Sequence, residues 1–147
     1  MRIYLDACRV NRLTDDQSQP RIRGESEAIE RILRSVRKGQ SLWLISEVLI
    51  DEIERSPQIG RRRENRALLA LPSEIIELSH EIMERARELQ NIGYAAFDAL
   101  HLASAEAGHA DVLLTTDDKF LKRASRNHGT PRILVRNPVS WLEEVPT

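Results

Sequence analysis

Apolar positions along the chain fall into two rhythms. Short runs of four or five, Arg2 to Leu5, Leu42 to Ile45 and Asp111-Val-Leu-Leu-Thr115, predict strands. The last is apolar on both faces, as a central strand of a parallel sheet is. Between them the period lengthens. Glu25 to Lys38 places Ile29, Ile32, Leu33 and Val36 at i, i+3, i+4, i+7, which predicts an amphipathic helix ended by Gly39. Ser79 predicts the cap of a helix running to Gly93, with Ile82, Ala86 and Leu89 on one face.

The stretch Tyr94–Phe120 is the centre of the pattern. Ala95, Ala96, Ala99, Ala103 and Ala107 predict a thin helix that neighbours approach closely, carrying Asp98 inside it and stopped by Gly108. The Asp111–Thr115 strand follows, then Thr116, Asp117 and Asp118. A basic helix from Asp118 to Arg126, a short strand from Arg132 to Val135 and a helical turn from Val139 to Glu144 with Trp141 docked complete the C-terminal part. Thr14 to Gly24 is polar and reads as a loop. Ser46 reads as a helix cap, Arg61 to Leu71 as a helix, and Glu74 to Leu78 as an edge strand or an extended link. Strand–helix alternation of this kind predicts an α/β fold: a central parallel sheet flanked by helices in one domain over residues 1–147.

Composition narrows the classes. A net charge of −1 with 31% charged residues does not mark a nucleic-acid binder, although segregated signs can hide in a near-zero sum. One cysteine, Cys8, excludes an internal disulfide framework and fits a reducing cytosol. No apolar run reaches the ~18–20 residues of a membrane span, and the start lacks a signal-peptide shape, so a cytoplasmic protein is expected.

The chemistry lies in the acids. Asp6, Glu47 and Asp117 each follow a predicted strand, and the C-terminal edge of a parallel sheet is where ligands bind. Asp98 joins them if its helix packs beside that edge. The bland alternative is that acids after strands cap helices or oppose helix dipoles, which is worth ~0.3–1 kcal/mol each. Carboxylates brought together repel, and a divalent cation relieves the repulsion; oxygen donors suit Mg²⁺ or Mn²⁺. The absence of a Cys/His ligand pattern argues against structural zinc. A metal beside a phosphodiester points to hydrolysis. Arg61, Arg62, Arg63 and Arg66 form the strongest basic cluster; it and Arg21 and Arg23 are readable as phosphate contacts or as solvated charge.

Strand-Asp6, then Ser46-Glu47, then Asp98-Ala-Leu-His-Leu-Ala103, then Thr115-Thr116-Asp117 before Phe120 resembles the PIN-domain nucleases, in particular the compact bacterial branch of VapC-type toxins. The resemblance implies a three-layer α/β/α sandwich. It implies Mg²⁺- or Mn²⁺-dependent cleavage of single-stranded RNA, with Asp6 and Asp98 as principal metal ligands and Glu47 and Asp117 completing the catalytic set. Asp118, adjacent, ranks below them. His101 is expected as a packing residue, and Cys8 stands where relatives often carry Asn, Ser or Thr. An antitoxin partner and a homodimer are also implied, with Trp43 and the helices after it as candidates for the dimer surface. Two other readings compete. One is a catalytically silent PIN-like module that binds RNA or protein through the arginine cluster and the basic helix near Lys122. The other is an aspartyl phosphatase, disfavoured because Asp6-Ala-Cys-Arg lacks a second acid two residues on.

Overall fold

The structure is a computed structural model and describes residues 1–5, 19–54 and 73–145. The expectations for Asp6, Cys8 and the Arg61–Arg66 helix lie outside the described residues. Five strands form one parallel sheet: β1 (Arg2–Leu5), β2 (Leu42–Ser46), β3 (Ser73–Ile76), β4 (Val112–Leu114) and β5 (Leu134–Arg136), in the order β3-β2-β1-β4-β5. The helices are α1 (Pro20–Arg37), α2 (Glu47–Glu54), α3 (His80–Ile92), α4 (Ala96–Ala107), α5 (Asp118–Ser125) and α6 (Pro138–Glu144).

Alternation along the strands sorts the core into two layers. Ile3, Leu5, Trp43, Ile45, Val112 and Leu114 face one side, where Ile29, Ile32, Leu33 and Val36 of α1 and Trp141 of α6 cover them. Tyr4, Leu44, Leu113 and Val135 face the other, against Ile82, Ala86 and Leu89 of α3 and the small face of α4. Ala99 and Ala103 are buried there, and α3 lies directly along α4. The expected three-layer α/β/α sandwich is what forms. Register aligns Tyr4 with Leu44 on one side and Leu113 on the other.

Three local expectations are corrected. The helix expected from Glu25 begins at Pro20, because a proline in the first turn loses no helical hydrogen bond and its φ is already set. Ser46 is the last residue of β2, and its hydroxyl turns inward to meet Tyr4. Trp43 is fully buried under α1, so it is a core residue and not part of a dimer surface. Of the two readings of Glu74–Leu78 the edge strand holds, as β3 over Ser73–Ile76, with Glu77 and Leu78 beyond its end.

Two ion-pair clamps hold the end of the sheet opposite the strand C-termini. Arg2 reaches across β2 to Glu74 at 3.0 and 3.1 Å and donates to the Gly108 carbonyl. The Arg2 hydrogen bond holds the Glu74 carboxyl below its usual range. Arg85 of α3 meets Glu106 of α4 at 2.8 Å, and Glu106 also accepts from the Arg132 amide at 2.8 Å.

Candidate active site at the C-terminal edge of the sheet

β1 lies between β2 and β4, and all three run parallel, so their C-terminal ends stand side by side. Leu5 ends β1, and position 6 follows it. Glu47 begins α2 directly after the buried Ser46, and its exposed carboxylate occupies the first turn, where the helix dipole favours negative charge. With Asp51, Val48, Leu78, Phe97 and Leu100 it lines a groove of about 430 Å³ between α2 and α4. The groove brings Glu47 to the N-terminal end of α4, where Asp98 sits half-buried in the first turn.

Asp117 is fixed by its own backbone. Its Oδ1 accepts from the Lys119 amide at 2.9 Å and the Phe120 amide at 3.2 Å, capping α5. Its own amide donates to Thr115 Oγ1 at 3.1 Å. Thr115 and Thr116 are buried. The carboxylate is therefore oriented by Oδ1, and Oδ2 makes no hydrogen bond among the described residues.

The neighbouring Asp118 is exposed and differently employed. Both of its oxygens take hydrogen bonds from Arg21 of α1, which also donates to the Thr116 carbonyl at 3.0 Å. The Asp118 hydrogen bond, followed by the Glu25 charge, raises the Arg21 pKa above its ordinary value. Buried Glu25 in turn accepts from Asn137 at 2.7 Å, and Asn137 caps α6. Arg21, readable from sequence as a phosphate contact or as solvated charge, fastens α1 to the end of β4.

Beneath the edge lies a polar cluster that sequence reasoning missed. The Tyr4 hydroxyl stands 2.7 Å from Ser46 Oγ and 2.6 Å from His101 Nδ1, and all three side chains are buried. The signal was present: a tyrosine between Ile3 and Leu5 in a buried strand needs a partner for its hydroxyl. His101 is the packing residue expected, with a hydrogen bond added.

Glu47, Asp98 and Asp117 are all carboxylates, the donor class that hard divalent cations take. Among the described residues no three of His, Cys, Asp or Glu stand close enough together to hold a metal ion. Position 6, the fourth of the predicted set, lies outside them. No described helix is long and apolar enough to cross a membrane.

Comparison with known proteins agrees with this architecture. No curated protein matches the chain. A chain of VapBC2 from Rickettsia felis, crystallised bound to a DNA fragment from their promoter, superposes with a TM-score of 0.63. Its sequence identity is 18%, and the match covers 93% of this chain and 98% of that one. That likeness is one of fold. The model of the PIN domain matches residues 3–126, from the first strand through α5, and on this ground the chain belongs to the PIN-domain family.

Proposed function

We propose that this protein is a divalent-metal-dependent endoribonuclease that hydrolyses phosphodiester bonds of single-stranded RNA, acting as the toxin of a toxin–antitoxin pair. What supports the reading is the PIN-domain match over residues 3–126 on a parallel sheet in which Glu47 directly follows β2, Asp117 follows β4 and Asp98 lies in the first turn of α4. Asp6, directly after the central strand, completes the set. Asp6 and Asp98 would hold Mg²⁺ or Mn²⁺, with Glu47 and Asp117 completing the carboxylate set. When bound, the metal supplies charge stabilisation at phosphorus and an activated water. Asp117 is oriented through its capping oxygen, which leaves its other oxygen to serve the site. Glu47 forms the acidic wall of the groove in which the substrate strand lies.

The likeness to VapBC2 supports an antitoxin partner; in this reading the chain acts as one cytoplasmic PIN-like domain and pairs as a homodimer. The test is cleavage of a mixed pool of structured and single-stranded RNA with Mn²⁺, with Mg²⁺ and with chelator, beside Asp98→Asn. Metal-dependent cleavage lost in the variant is the expected result. Cleavage that persists in excess chelator, or none with any metal from folded, inhibitor-free protein, overturns it.

A further inference from the structure

Resting on that reading, we infer that Tyr4, Ser46 and His101 are positioning residues: one buried hydrogen-bonded unit that sets the spacing of the acids above it. Each member sits a short step from a different site position. Tyr4 is two residues before position 6, Ser46 immediately precedes Glu47, and His101 lies one helical turn after Asp98. The three side chains meet at the Tyr4 hydroxyl, 2.7 Å from Ser46 Oγ and 2.6 Å from His101 Nδ1.

The chemistry of the cluster demands this geometry. A phenol has one proton to give and lone pairs to accept with. If His101 Nδ1 accepts, Tyr4 donates to it and accepts from Ser46; if Nδ1 carries a proton, Tyr4 accepts it and donates to Ser46. In either tautomer one hydroxyl bridges both neighbours, so β1, β2 and α4 cannot shift independently without breaking a buried bond. The imidazole also meets the Tyr4 ring edge-on, with centroids 5.6 Å apart and planes at 64°, which fixes its rotation.

Stability alone does not call for such a cluster. Apolar residues of the same shape fill a buried site at little or no cost, whereas a polar network specifies one arrangement. A metal site is where such specification matters, since ligand distances tolerate about 0.2 Å and lost outer partners typically weaken metal binding ~10–100-fold.

The experiment titrates Mn²⁺ into the full-length protein, followed by the loss of the free-ion paramagnetic resonance signal. It compares wild type with Tyr4→Phe, Ser46→Ala, His101→Leu and His101→Asn, with urea melts and RNA cleavage on each. Tyr4→Phe is expected to weaken Mn²⁺ about 10-fold or more while remaining folded. The histidine pair separates positioning from filling. Leucine restores volume without a polar atom; asparagine leaves a cavity but places a δ polar atom where Nδ1 stood. Positioning predicts tighter Mn²⁺ binding in His101→Asn than in His101→Leu, even where asparagine melts earlier. Mn²⁺ affinity that follows the melting order, or that is unchanged in Tyr4→Phe, overturns the inference. Wild-type protein that binds no Mn²⁺ and cleaves nothing refutes the nuclease reading itself, and the inference with it.

Discussion

Arg21 holds both carboxylate oxygens of Asp118, at 3.0 Å through Nη1 and 2.8 Å through Nη2. The pair ties Asp118 into the scaffold, whereas Asp117 is the aspartate the proposed function assigns to the site. Asp118→Asn is expected to leave metal-dependent RNA cleavage within a few-fold of wild type. The Arg21 side chain is 54% exposed, so the pair is worth at most about 1 kcal/mol. Urea melts of Arg21→Ala check that figure, and a cleavage rate that collapses in Asp118→Asn contradicts the assignment.

Asp117 does two things that substitution can separate. Asparagine keeps an oxygen for the Lys119 and Phe120 amides but loses the charge; alanine loses both. Asp117→Asn is expected to melt near wild type and to lose cleavage. Asp117→Ala is expected to lose cleavage and also about 1 kcal/mol of stability. Thermal melts and the cleavage assay together decide it; two variants with equal stability would show that the cap contributes nothing.

At the other end of α4, Glu106 and Arg85 are respectively 2% and 10% exposed as side chains. Removing the carboxylate leaves the Arg132 amide without its acceptor, while Arg85 keeps Glu88 and the Gly129 and Thr130 carbonyls. Glu106→Ala is expected to cost about 1–3 kcal/mol in urea denaturation, and to leave Mn²⁺ affinity unchanged in the fraction that remains folded. A loss under 1 kcal/mol would mean that water replaces the missing partner.

Tyr94 gives the fold an alkaline limit. Its buried hydroxyl donates to the His128 carbonyl at 2.7 Å, and burial raises its pKa above the ordinary 10.0. The folded state thus prefers the neutral phenol. That contribution is complete below pH 10 and is lost as pH rises through the folded value. Urea midpoints measured from pH 7 to 11.5 are expected to fall more steeply above pH 10 in wild type than in Tyr94→Phe. Parallel curves would exclude Tyr94 as the cause.

Much of this was legible in the residues, and the rest was not, for physical reasons. The strand at Val112–Leu114, the α3 cap at Ser79 and the Gly108 stop followed from periodicity and cap chemistry, which act locally. The parallel sheet flanked by helices followed from strand–helix alternation, and the three-layer sandwich from the resemblance to PIN domains. The start of α1 did not, because Gln19-Pro20 carries loop and helix signals at once and only the packing of its first turn decides between them. The Arg21–Asp118 and Tyr4–His101 contacts join residues about a hundred positions apart. No local pattern reports such a pairing, although a tyrosine amid apolar neighbours announces that some partner exists. Trp43 misled because a large aromatic after a strand start serves a core as readily as an interface.

The first described strand is the one the sheet needs in its middle. β1 leaves the ribosome with no neighbour, gains β2 after about forty residues, and waits for β4 until position 112; Arg2 and Asp111, which bond across that junction, are 109 residues apart. At ~5–20 residues per second the wait lasts roughly 5–20 s. During it one edge of a hydrophobic strand is open. Positions 6, 47, 98 and 117 are likewise dealt out along almost the whole length of the chain. A nascent fragment therefore carries neither a closed sheet nor a full set of acids. A PIN domain built this way cannot close its sheet around β1 until position 112 has been made.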